Sequence, residues 1–312
     1  MVFFGVGFPD VYNASGARNF DGNGYWYRPF VNWGNAGFIA KTTTLEPRLD
    51  PTKKFGNMPL KSDGITPEEL LPKCIRVNIF TGEALNAVGL SGPGAHKLLE
   101  LGFWQNWNHG PFFLSFMSVE ADAARRLEEL QQFIALLVPQ LQHFKSPVGL
   151  QVNFSCPNVG LDLTHLVGEI HEALEICNQL RQRKIPIIVK LNPMVPRDAV
   201  IAIANHKFCD GVAVNNTIPW GSTDRIDWRR IFGSHESPLA HLGGGGYSGR
   251  QALPIVCELI RDCIAAGVSK PLIGGNGIQS VQDAGSVIEA GASAIELGVI
   301  GMIRPWRMAA TI

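Results

Sequence analysis

Eight short apolar segments, each ending in polar or glycine-rich residues, constrain the fold of this chain more than any other feature. In chain order they are FPDVYNASG, AGFIAKTTT, PFFLSFM, GLQVNFSCPN, IPIIVKLNP, GVAVNNTI, PLIGGNG and AIELGVIG. Apolar residues spaced three and four apart predict helices over 124–144, 160–184, 197–207, 249–266 and 279–290. Continuous apolar strands that alternate with helices are typical of a parallel sheet covered on both faces. Eight of them in 312 residues predict an α/β fold, a (β/α)8 TIM barrel.

A single barrel domain over residues 1–312 accounts for the whole chain, since no short repeat and no low-complexity segment interrupts it. Two stretches fit the alternation of strands and helices poorly. They are an irregular insertion at about 48–84 and an excursion at about 218–248. We expect both to be insertions in the loops that follow barrel strands, where such barrels vary most.

The charge balance and the cysteine and histidine patterns exclude several function classes. Lysine plus arginine and aspartate plus glutamate number 27 each, so no basic face for nucleic acid is expected. The N-terminus is apolar for only eight residues before Pro9 and Asp10, and we expect neither a signal peptide nor a membrane span. Six cysteines without a C-x-x-C pair, and eight histidines without H-E-x-x-H, predict no metal site and a reducing, cytoplasmic location.

Polar residues follow nearly every predicted strand, at the end where barrel enzymes carry out their chemistry. They are residues 13–16, 41–43, 153–158, 190, 215–217, 274–277 and 298. Lys41 and Lys190 directly follow the apolar runs FIA and IIV, so both are predicted to point into the barrel mouth. Burial of a lysine there costs free energy unless an anion or an electron-rich ring compensates its positive charge.

Two glycine-rich loops predict a phosphate site. GGGGYSGRQAL, at 243–253, and IGGNGIQS, at 273–280, each lead into a predicted helix. Glycine allows backbone N–H groups to approach a ligand closely, and a helix N-terminus offers unpaired donors. Loops near the seventh and eighth strands form the usual phosphate site of such barrels.

The motifs NASG, AKTTTLEPR, NAVGL, NFSCPN, VKLNP, NNTI, GGYSGR and GGNGI occur in the order found in dihydroorotate dehydrogenases. The resemblance runs from about residue 13 to about residue 300. The chain resembles the soluble, class 1-like members, because Cys156 stands where membrane-associated relatives carry serine. This resemblance implies FMN-dependent oxidation of dihydroorotate to orotate in pyrimidine biosynthesis.

The resemblance also implies roles for individual residues. Cys156 would be the base that takes the C5 proton, while flavin N5 takes the C6 hydride, and Lys41 would bridge flavin and substrate. FMN would bind to Ala14, Ser15, Lys41, Thr42, Asn153, Lys190, Asn215, Gly245, Gly246, Asn276, Gly277, Gly298 and Val299. Substrate would bind to Lys41, Asn86, Val88, Gly89, Leu90, Asn153, Asn158, Asn216 and Thr217. Within these sets, the resemblance implies that Lys190 would stand near the N1/C2-carbonyl edge of the flavin. The phosphate would lie on Gly245–Gly246, Asn276–Gly277 and Gly298–Val299.

Alternative functions remain open at this point. A dihydropyrimidine dehydrogenase-like flavin barrel shares the N-x-S-C-P loop, but Asn158 and NAVGL favour a substrate with a carboxylate. A non-flavin phosphate-binding barrel and a non-catalytic binding subunit are alternatives of another class. The insertion at 49–73 lacks the G-N-P-x-P-R pattern of the family.

The electron acceptor also has two candidates. The chain carries neither a C-x-x-C cluster nor a dinucleotide fingerprint, so it predicts no NAD site of its own. A homodimer could reduce fumarate, or a separate iron–sulfur flavoprotein subunit could pass electrons to NAD. TTTLEPR and NAVGLSGPG resemble the NAD-linked branch and favour the partnered form slightly. Tryptophans in irregular segments, namely Trp26, Trp33, Trp104, Trp107 and Trp220, are either core residues or subunit contacts.

Overall fold

The computed structural model describes residues 1–49, 56–154 and 163–312. The strands are β1 (Val2–Phe3), β2 (Val6–Gly7), β3 (Val11–Asn13), β4 (Phe38–Ile39), β5 (Ile75–Asn78), β6 (Glu83–Asn86), β7 (Phe112–Phe116), β8 (Val148–Phe154), β9 (Ile187–Leu191), β10 (Gly211–Val214), β11 (Ile218–Pro219), β12 (Gly246–Ser248), β13 (Leu272–Gly275) and β14 (Ala294–Leu297). The helices are α1 (Gly94–Leu101), α2 (Phe103–Asn106), α3 (Ala123–Leu137), α4 (Leu163–Arg181), α5 (Arg197–Ala204), α6 (Trp228–Phe232), α7 (Leu253–Ala265), α8 (Val281–Glu289), α9 (Val299–Ile303) and α10 (Met308–Thr311).

Eight parallel strands form the barrel, and each of the eight predicted segments supplies one of them. Their order is β3-β14-β13-β10-β9-β8-β7-β4, with parallel pairing throughout. The amide of Gly37 donates to Val11 O at 2.8 Å, and Asn13 N donates to Gly37 O at 3.3 Å, which joins β3 to the residue before β4. These bonds close the sheet. The predicted (β/α)8 barrel is therefore confirmed.

The five predicted helices correspond to α3, α4, α5, α7 and α8, and their apolar stripes pack on the barrel. Two of them begin at conventional caps: the Asp122 side chain accepts from Arg125 N, and the Ser280 side chain accepts from Asp283 N. α7 is preceded by a short helical turn at Arg250–Ala252, so the helical segment starts directly after Gly249.

Aromatic residues fill the amino-terminal end of the barrel. The β1–β2 hairpin contributes Phe3, which packs with Phe8, Tyr12 and Phe113 in one buried cluster. The ring centroids of Phe8 and Phe113 are 5.0 Å apart. A Cβ at Gly149 would lie 2.2 Å from the Phe113 ring, so the neighbouring strand must carry glycine to admit this ring.

A four-stranded antiparallel sheet lies at the carboxyl ends of the barrel strands, and the two irregular stretches build it together. Its order is β11-β12-β6-β5. β6, from the end of the first stretch, pairs with β12, from the end of the second, in the register Tyr247↔Leu85. Leu85, Tyr247 and Ile218 form part of the buried cluster beneath α6 and the start of α7. Residues of β6 and β12 line the cavity at the mouth of the barrel.

Most of the tryptophans in irregular segments belong to the core. Trp104 is buried and donates its indole N–H to Phe20 O at 2.9 Å. Trp33 and Trp107 flank the Arg18 guanidinium, whose Cζ lies 5.6 and 5.4 Å from their ring centroids. Trp220 packs on Trp228 over the small sheet, with centroids 4.7 Å apart. Trp26 is exposed.

Candidate active site

A cavity of about 1220 Å³, bounded by described residues, opens at the carboxyl ends of the strands, and one of about 160 Å³ adjoins it. The two cavities share several walls, including Ser15, Lys190 and Asn216. Most of the predicted site residues line one or both. They are Ala14, Ser15, Lys41, Thr42, Asn86, Val88, Gly89, Leu90, Asn153, Lys190, Asn215, Asn216, Thr217, Asn276, Gly277, Gly298 and Val299.

The remaining predicted residues are placed differently. Gly245 and Gly246 are not among the described residues that line these cavities. Gly246 pairs with Asn86 and with Pro219 inside the small sheet, and a Cβ there would lie 2.1 Å from Thr217 Oγ1. Of the same loop, Ser248 reaches both cavities. Cys156 and Asn158 lie outside the described residues.

Lys41, two residues after β4, is buried and has no carboxylate partner among the described residues. Its ammonium donates to Ser91 O and lies 4.4 Å from the ring centroid of Phe20. Burial lowers the pKa of Lys41 from 10.5 to about 7, and the neighbouring Cys74 partly opposes this effect. An anion in the cavity would supply the missing counter-charge and restore the charged form.

Lys190, in β9, is also buried but is ion-paired. Its Nζ lies 3.0 Å from Glu296 Oε2, and the two side chains are 5% and 0% exposed. The second carboxylate oxygen, Oε1, accepts a hydrogen bond from Gln151 Nε2 at 2.7 Å. Lys190 and Glu296 both line the smaller cavity. The positive charge of Lys190 is therefore balanced by a carboxylate, whereas that of Lys41 has no such partner among the described residues.

Side-chain amides from three strand ends form a connected network. Asn216 Nδ2 donates to Asn153 Oδ1 at 2.9 Å, and Asn153 Nδ2 donates to Thr42 Oγ1 at 3.4 Å. Asn276 Nδ2 donates to Asn216 O at 3.2 Å, and Thr217 N donates to Asn216 Oδ1 at 2.9 Å. Amides offer both donors and acceptors, which suits a planar ring that carries carbonyl and N–H groups.

Hydroxyl groups connect the ends of the first three barrel strands. Ser15 Oγ lies 2.8 Å from Thr42 Oγ1, which in turn lies 2.9 Å from Ser115 Oγ. Thr42 N donates to Ser15 Oγ at 3.0 Å. These hydrogen-bonded hydroxyl groups fix the cavity wall on the side of Lys41.

Asn215 is buried after β10, and neither its Nδ2 nor its Oδ1 has a hydrogen-bond partner among the described residues. It lines the smaller cavity. Leaving a buried polar group unsatisfied costs about 1–3 kcal/mol. A ligand with polar edges in this cavity would provide the partners that Asn215 lacks.

The two glycine-rich loops meet at Gly249 and Gly277. A Cβ at Gly277, which has φ +94°, would lie 2.6 Å from Gly249 O. Gly249 N donates to Asn276 Oδ1 at 3.1 Å. The loops therefore support each other, and Asn276, Gly277 and Val299 form one wall of the smaller cavity. Gly277 is therefore required by the contact between the two loops.

A buried carboxylate lies behind this wall. Glu83, in β6, accepts a hydrogen bond from the Tyr247 hydroxyl and one from the backbone N–H of Arg250. A Cβ at Gly249 would lie 1.5 Å from Glu83 Oε2, so only glycine fits. Burial raises the pKa of Glu83 from 4.5 to about 7, although both hydrogen bonds favour the charged form. Glu83 thus caps the helical segment that begins after Gly249.

Sequence reasoning missed Glu296, Gln151, Ser115 and Glu83. Two of them carried a usable signal. Glu296 is a lone charge inside the apolar run AIELGV, and Gln151 precedes Asn153 by two residues, which places both on one face of β8. A charged side chain in a strand that is covered on both faces needs a partner in the barrel interior.

Comparison with known proteins decides the family. A family model described as dihydroorotate dehydrogenase matches residues 11–307. The chain belongs to the dihydroorotate dehydrogenase family. Members of this family are flavin-dependent oxidoreductases, and membership assigns the chain to dihydroorotate oxidation in pyrimidine biosynthesis. Among the alternatives that the sequence left open, the family match thus supports dihydroorotate dehydrogenase.

Individual relatives agree with the family match. The catalytic subunit of dihydroorotate dehydrogenase B (NAD(+)) from Desulforamulus reducens is 29% identical over 291 residues, which are 91% of this chain and 82% of that protein. The corresponding subunit from a Geobacillus species is 30% identical over 309 residues, 94% of this chain and 81% of that protein. A crystal structure of the Eimeria tenella dihydroorotate dehydrogenase with ferulenol has the same fold, with a TM-score of 0.67 at 19% identity and coverage of 97% and 80% of the two chains.

Two further properties concern only the part of the chain that the structure describes. No helix there has the length and hydropathy needed to cross a membrane. No group of three or more His, Cys, Asp and Glu side chains there could hold a metal ion. The cytoplasmic location stays a prediction.

Proposed function

We propose that the two cavities bind FMN, with its phosphate against the wall formed by Asn276, Gly277, Gly298 and Val299. The residues fit this group on two counts. Asn215 has two buried amide atoms that need polar partners, and Gly277 and Gly298, which have no Cβ, line the same cavity and would let a phosphate approach their backbone. Gly245 and Gly246 would flank the phosphate from the other glycine-rich loop, where Gly246 pairs within the small sheet, and Ser248 of the same loop lines both cavities and would add a hydroxyl donor.

In this proposal Lys190 lies at the edge of the flavin that becomes negative on reduction. Ala14, Ser15 and Thr42 would contact the ring from the opposite wall, where hydroxyls link β3, β4 and β7. FMN, when bound, supplies the acceptor for the hydride of dihydroorotate. The chain's own contribution is to hold a cation in a buried site, where its interaction with a charge is stronger than in water.

Dihydroorotate would bind in the larger cavity between the amide network and Lys41. Asn153, Asn158, Asn216 and Thr217 would pair with the imide of the ring. Lys41, together with the segment from Asn86 to Leu90, would bind the carboxylate. Support comes from the burial of the Lys41 ammonium beside Ser91 O without a carboxylate among the described residues. A substrate carboxylate is the anion that this position lacks.

Cys156 would act as the base that takes the C5 proton. It follows β8 by two residues, next to the strand end that carries Asn153. An ordinary thiol has a pKa near 8.5, so a fraction of thiolate is available at neutral pH, which a serine hydroxyl cannot offer.

The amide network flanked by two buried lysines is the observation that carries this proposal. The test is to supply the purified chain with FMN and to record its visible spectrum under anaerobic conditions. Addition of dihydroorotate should bleach the flavin band within seconds. Bleaching by dihydrouracil but not by dihydroorotate would refute the substrate assignment, and failure to retain FMN would refute the cofactor assignment.

For the electron acceptor, we propose the partnered form: a homodimer of this chain that docks a separate iron–sulfur flavoprotein, which passes electrons to NAD. Support comes from the relatives, which are named as catalytic subunits of an NAD-linked enzyme. The isolated chain should then turn over slowly with fumarate and with free NAD. Brisk turnover with fumarate alone would contradict the proposal.

A further inference from the structure

The buried carboxylate of Glu296 is an unassigned part of the mouth. Oε2 lies 3.0 Å from Lys190 Nζ, and Oε1 accepts from Gln151 Nε2 at 2.7 Å. Its side chain is 0% exposed. Both oxygens are therefore engaged, and the carboxylate has one orientation.

The contact crosses the barrel interior. Glu296 lies in β14 and Lys190 in β9, and β13 and β10 separate these strands in the sheet. Their meeting is thus a property of the closed barrel and not of neighbouring strands. When both side chains are buried, two opposite charges interact strongly, and removing one leaves the other uncompensated.

The pair changes the charge that Lys190 offers to a ligand. A lone buried lysine would present a full positive charge to the cavity, whereas the lysine with its carboxylate presents a charge that is largely offset. Lys190 and Glu296 line the same small cavity. A flavin there would interact with the pair as a unit.

We propose that Glu296 is a positioning residue that holds the Lys190 ammonium in place and offsets its charge, and thereby lowers the reduction potential of the bound flavin. This inference rests on the proposed binding of FMN. The reduced flavin is an anion after uptake of two electrons and one proton, so a stronger positive field would favour it. Glu296 weakens that field. Gln151 keeps the carboxylate turned toward Lys190.

The test is Glu296→Gln in the FMN-loaded protein. This variant keeps the shape of the side chain and removes the negative charge. The reduction potential is measured by equilibration with a reference dye during slow enzymatic reduction, and FMN affinity is measured separately by fluorescence. The equilibrium constant for two-electron reduction should rise by about tenfold or more, which corresponds to about 30 mV.

A matched control is Asp210→Asn. Asp210 forms a partly buried ion pair with Arg181, 2.8 Å between Oδ1 and Nη2, at the opposite end of the strands. This variant should lower the melting temperature and leave the potential unchanged. If Glu296→Gln behaves in the same way, Glu296 has only a structural role and the inference is wrong.

A second variant keeps the test decisive if Glu296→Gln does not fold. The double variant Lys190→Met/Glu296→Gln removes both charges and leaves no unpaired charge. Because the two charges largely offset each other in the parent, its potential should stay within about 30 mV of the parent value, and a larger fall would show that Lys190 acts with its full charge and would overturn the inference. Failure of the proposed function is distinguishable, because the protein would then fail to bind FMN or would not be reduced by dihydroorotate.

Discussion

The two ends of the barrel are equally buried but are built from opposite kinds of residue. At the amino-terminal end, Phe3, Phe8, Tyr12 and Phe113 pack ring against ring. At the carboxyl end, the buried side chains include Lys41, Lys190, Glu296 and Asn215. Burial of the three phenylalanine rings is favourable by itself, although the Tyr12 hydroxyl is buried without a hydrogen-bond partner among the described residues. Burial of the second set costs free energy unless partners are found.

This difference indicates how the molecule divides stability from function. The aromatic end supplies free energy of folding through its buried rings. The polar end lowers the net free energy of folding, because it buries Lys41, whose pKa is lowered to about 7, and the Asn215 amide, which has no hydrogen-bond partner among the described residues. Substitutions at the two ends should therefore have opposite consequences for stability and for activity.

The largest expected effect on activity is at the polar end. Cys156→Ala should leave FMN bound and slow flavin reduction by dihydroorotate by about 10²–10⁴-fold, since a general base contributes that much. Stopped-flow absorbance measures the rate. Cys177→Ala, at a buried cysteine of α4, is the matched control and should keep the parent rate. A near-parental rate in Cys156→Ala would mean that Cys156 is not the base.

The largest expected effect on stability is at the aromatic end. Phe113→Ala should lower the free energy of unfolding by about 3–5 kcal/mol, because a fully buried ring leaves a cavity. Urea or thermal unfolding measures the loss. Phe80→Ala removes a ring that is 90% exposed and should change stability by less than about 0.5 kcal/mol. Equal losses of unfolding free energy in Phe113→Ala and Phe80→Ala would show that the aromatic end does not stabilise the fold more than an exposed ring does.

Lys41 should couple anion binding to proton uptake. Its pKa is lowered to about 7 in the free site, so above that pH a proton must bind together with a carboxylate ligand. The Kd for orotate should be flat below pH 7 and rise by at most about tenfold per pH unit above it. Lys41→Met should bind orotate weakly and without this pH dependence. Lys97→Met, at an exposed lysine, should keep the parent profile.

The same substitution tests the cost of the polar end. A lysine whose folded pKa lies below its unfolded value destabilises the protein most at low pH, and this cost fades as pH rises from about 7 to about 10.5. Lys41→Met should therefore raise the melting temperature at pH 7 while it weakens binding. A lower melting temperature would show that Lys41 supports the fold.

The smallest expected effect concerns Glu83. Its folded pKa is raised to about 7, so its protonated form contributes stability that is fully present below about pH 4.5 and is lost as pH rises through about 7. The melting temperature of Glu83→Gln relative to that of the parent should therefore rise between about pH 5 and pH 8. The rise should be about 2–4 °C for each kcal/mol of unfolding free energy that the parent loses over this range. A difference that does not change with pH would contradict this assignment. Glu128→Gln, at an exposed glutamate, serves as the control.

Local patterns were sufficient for the barrel. The segment FIA-Lys41 and the stripe of α4 predict a strand and a helix because burial periodicity acts over a few residues. The rule that catalytic residues follow the carboxyl ends of barrel strands also predicts from sequence that Lys41, Asn153 and Lys190 share one mouth. The roles that resemblance assigned to them stay predictions, and Cys156 lies outside the described residues.

Contacts between distant residues were decided only by the tertiary structure. β12 and β6 pair although about 160 residues separate them, and neither stretch shows a strand pattern of its own strong enough to predict the sheet. Glu296 and Lys190 are 106 positions apart and meet only because the barrel closes. The sequence therefore determined which side chains face the interior, since that depends on local periodicity. Which of them pair, and so which lysine lacks a counter-charge that a ligand could supply, depends on the order of strands around the barrel, which no local pattern encodes.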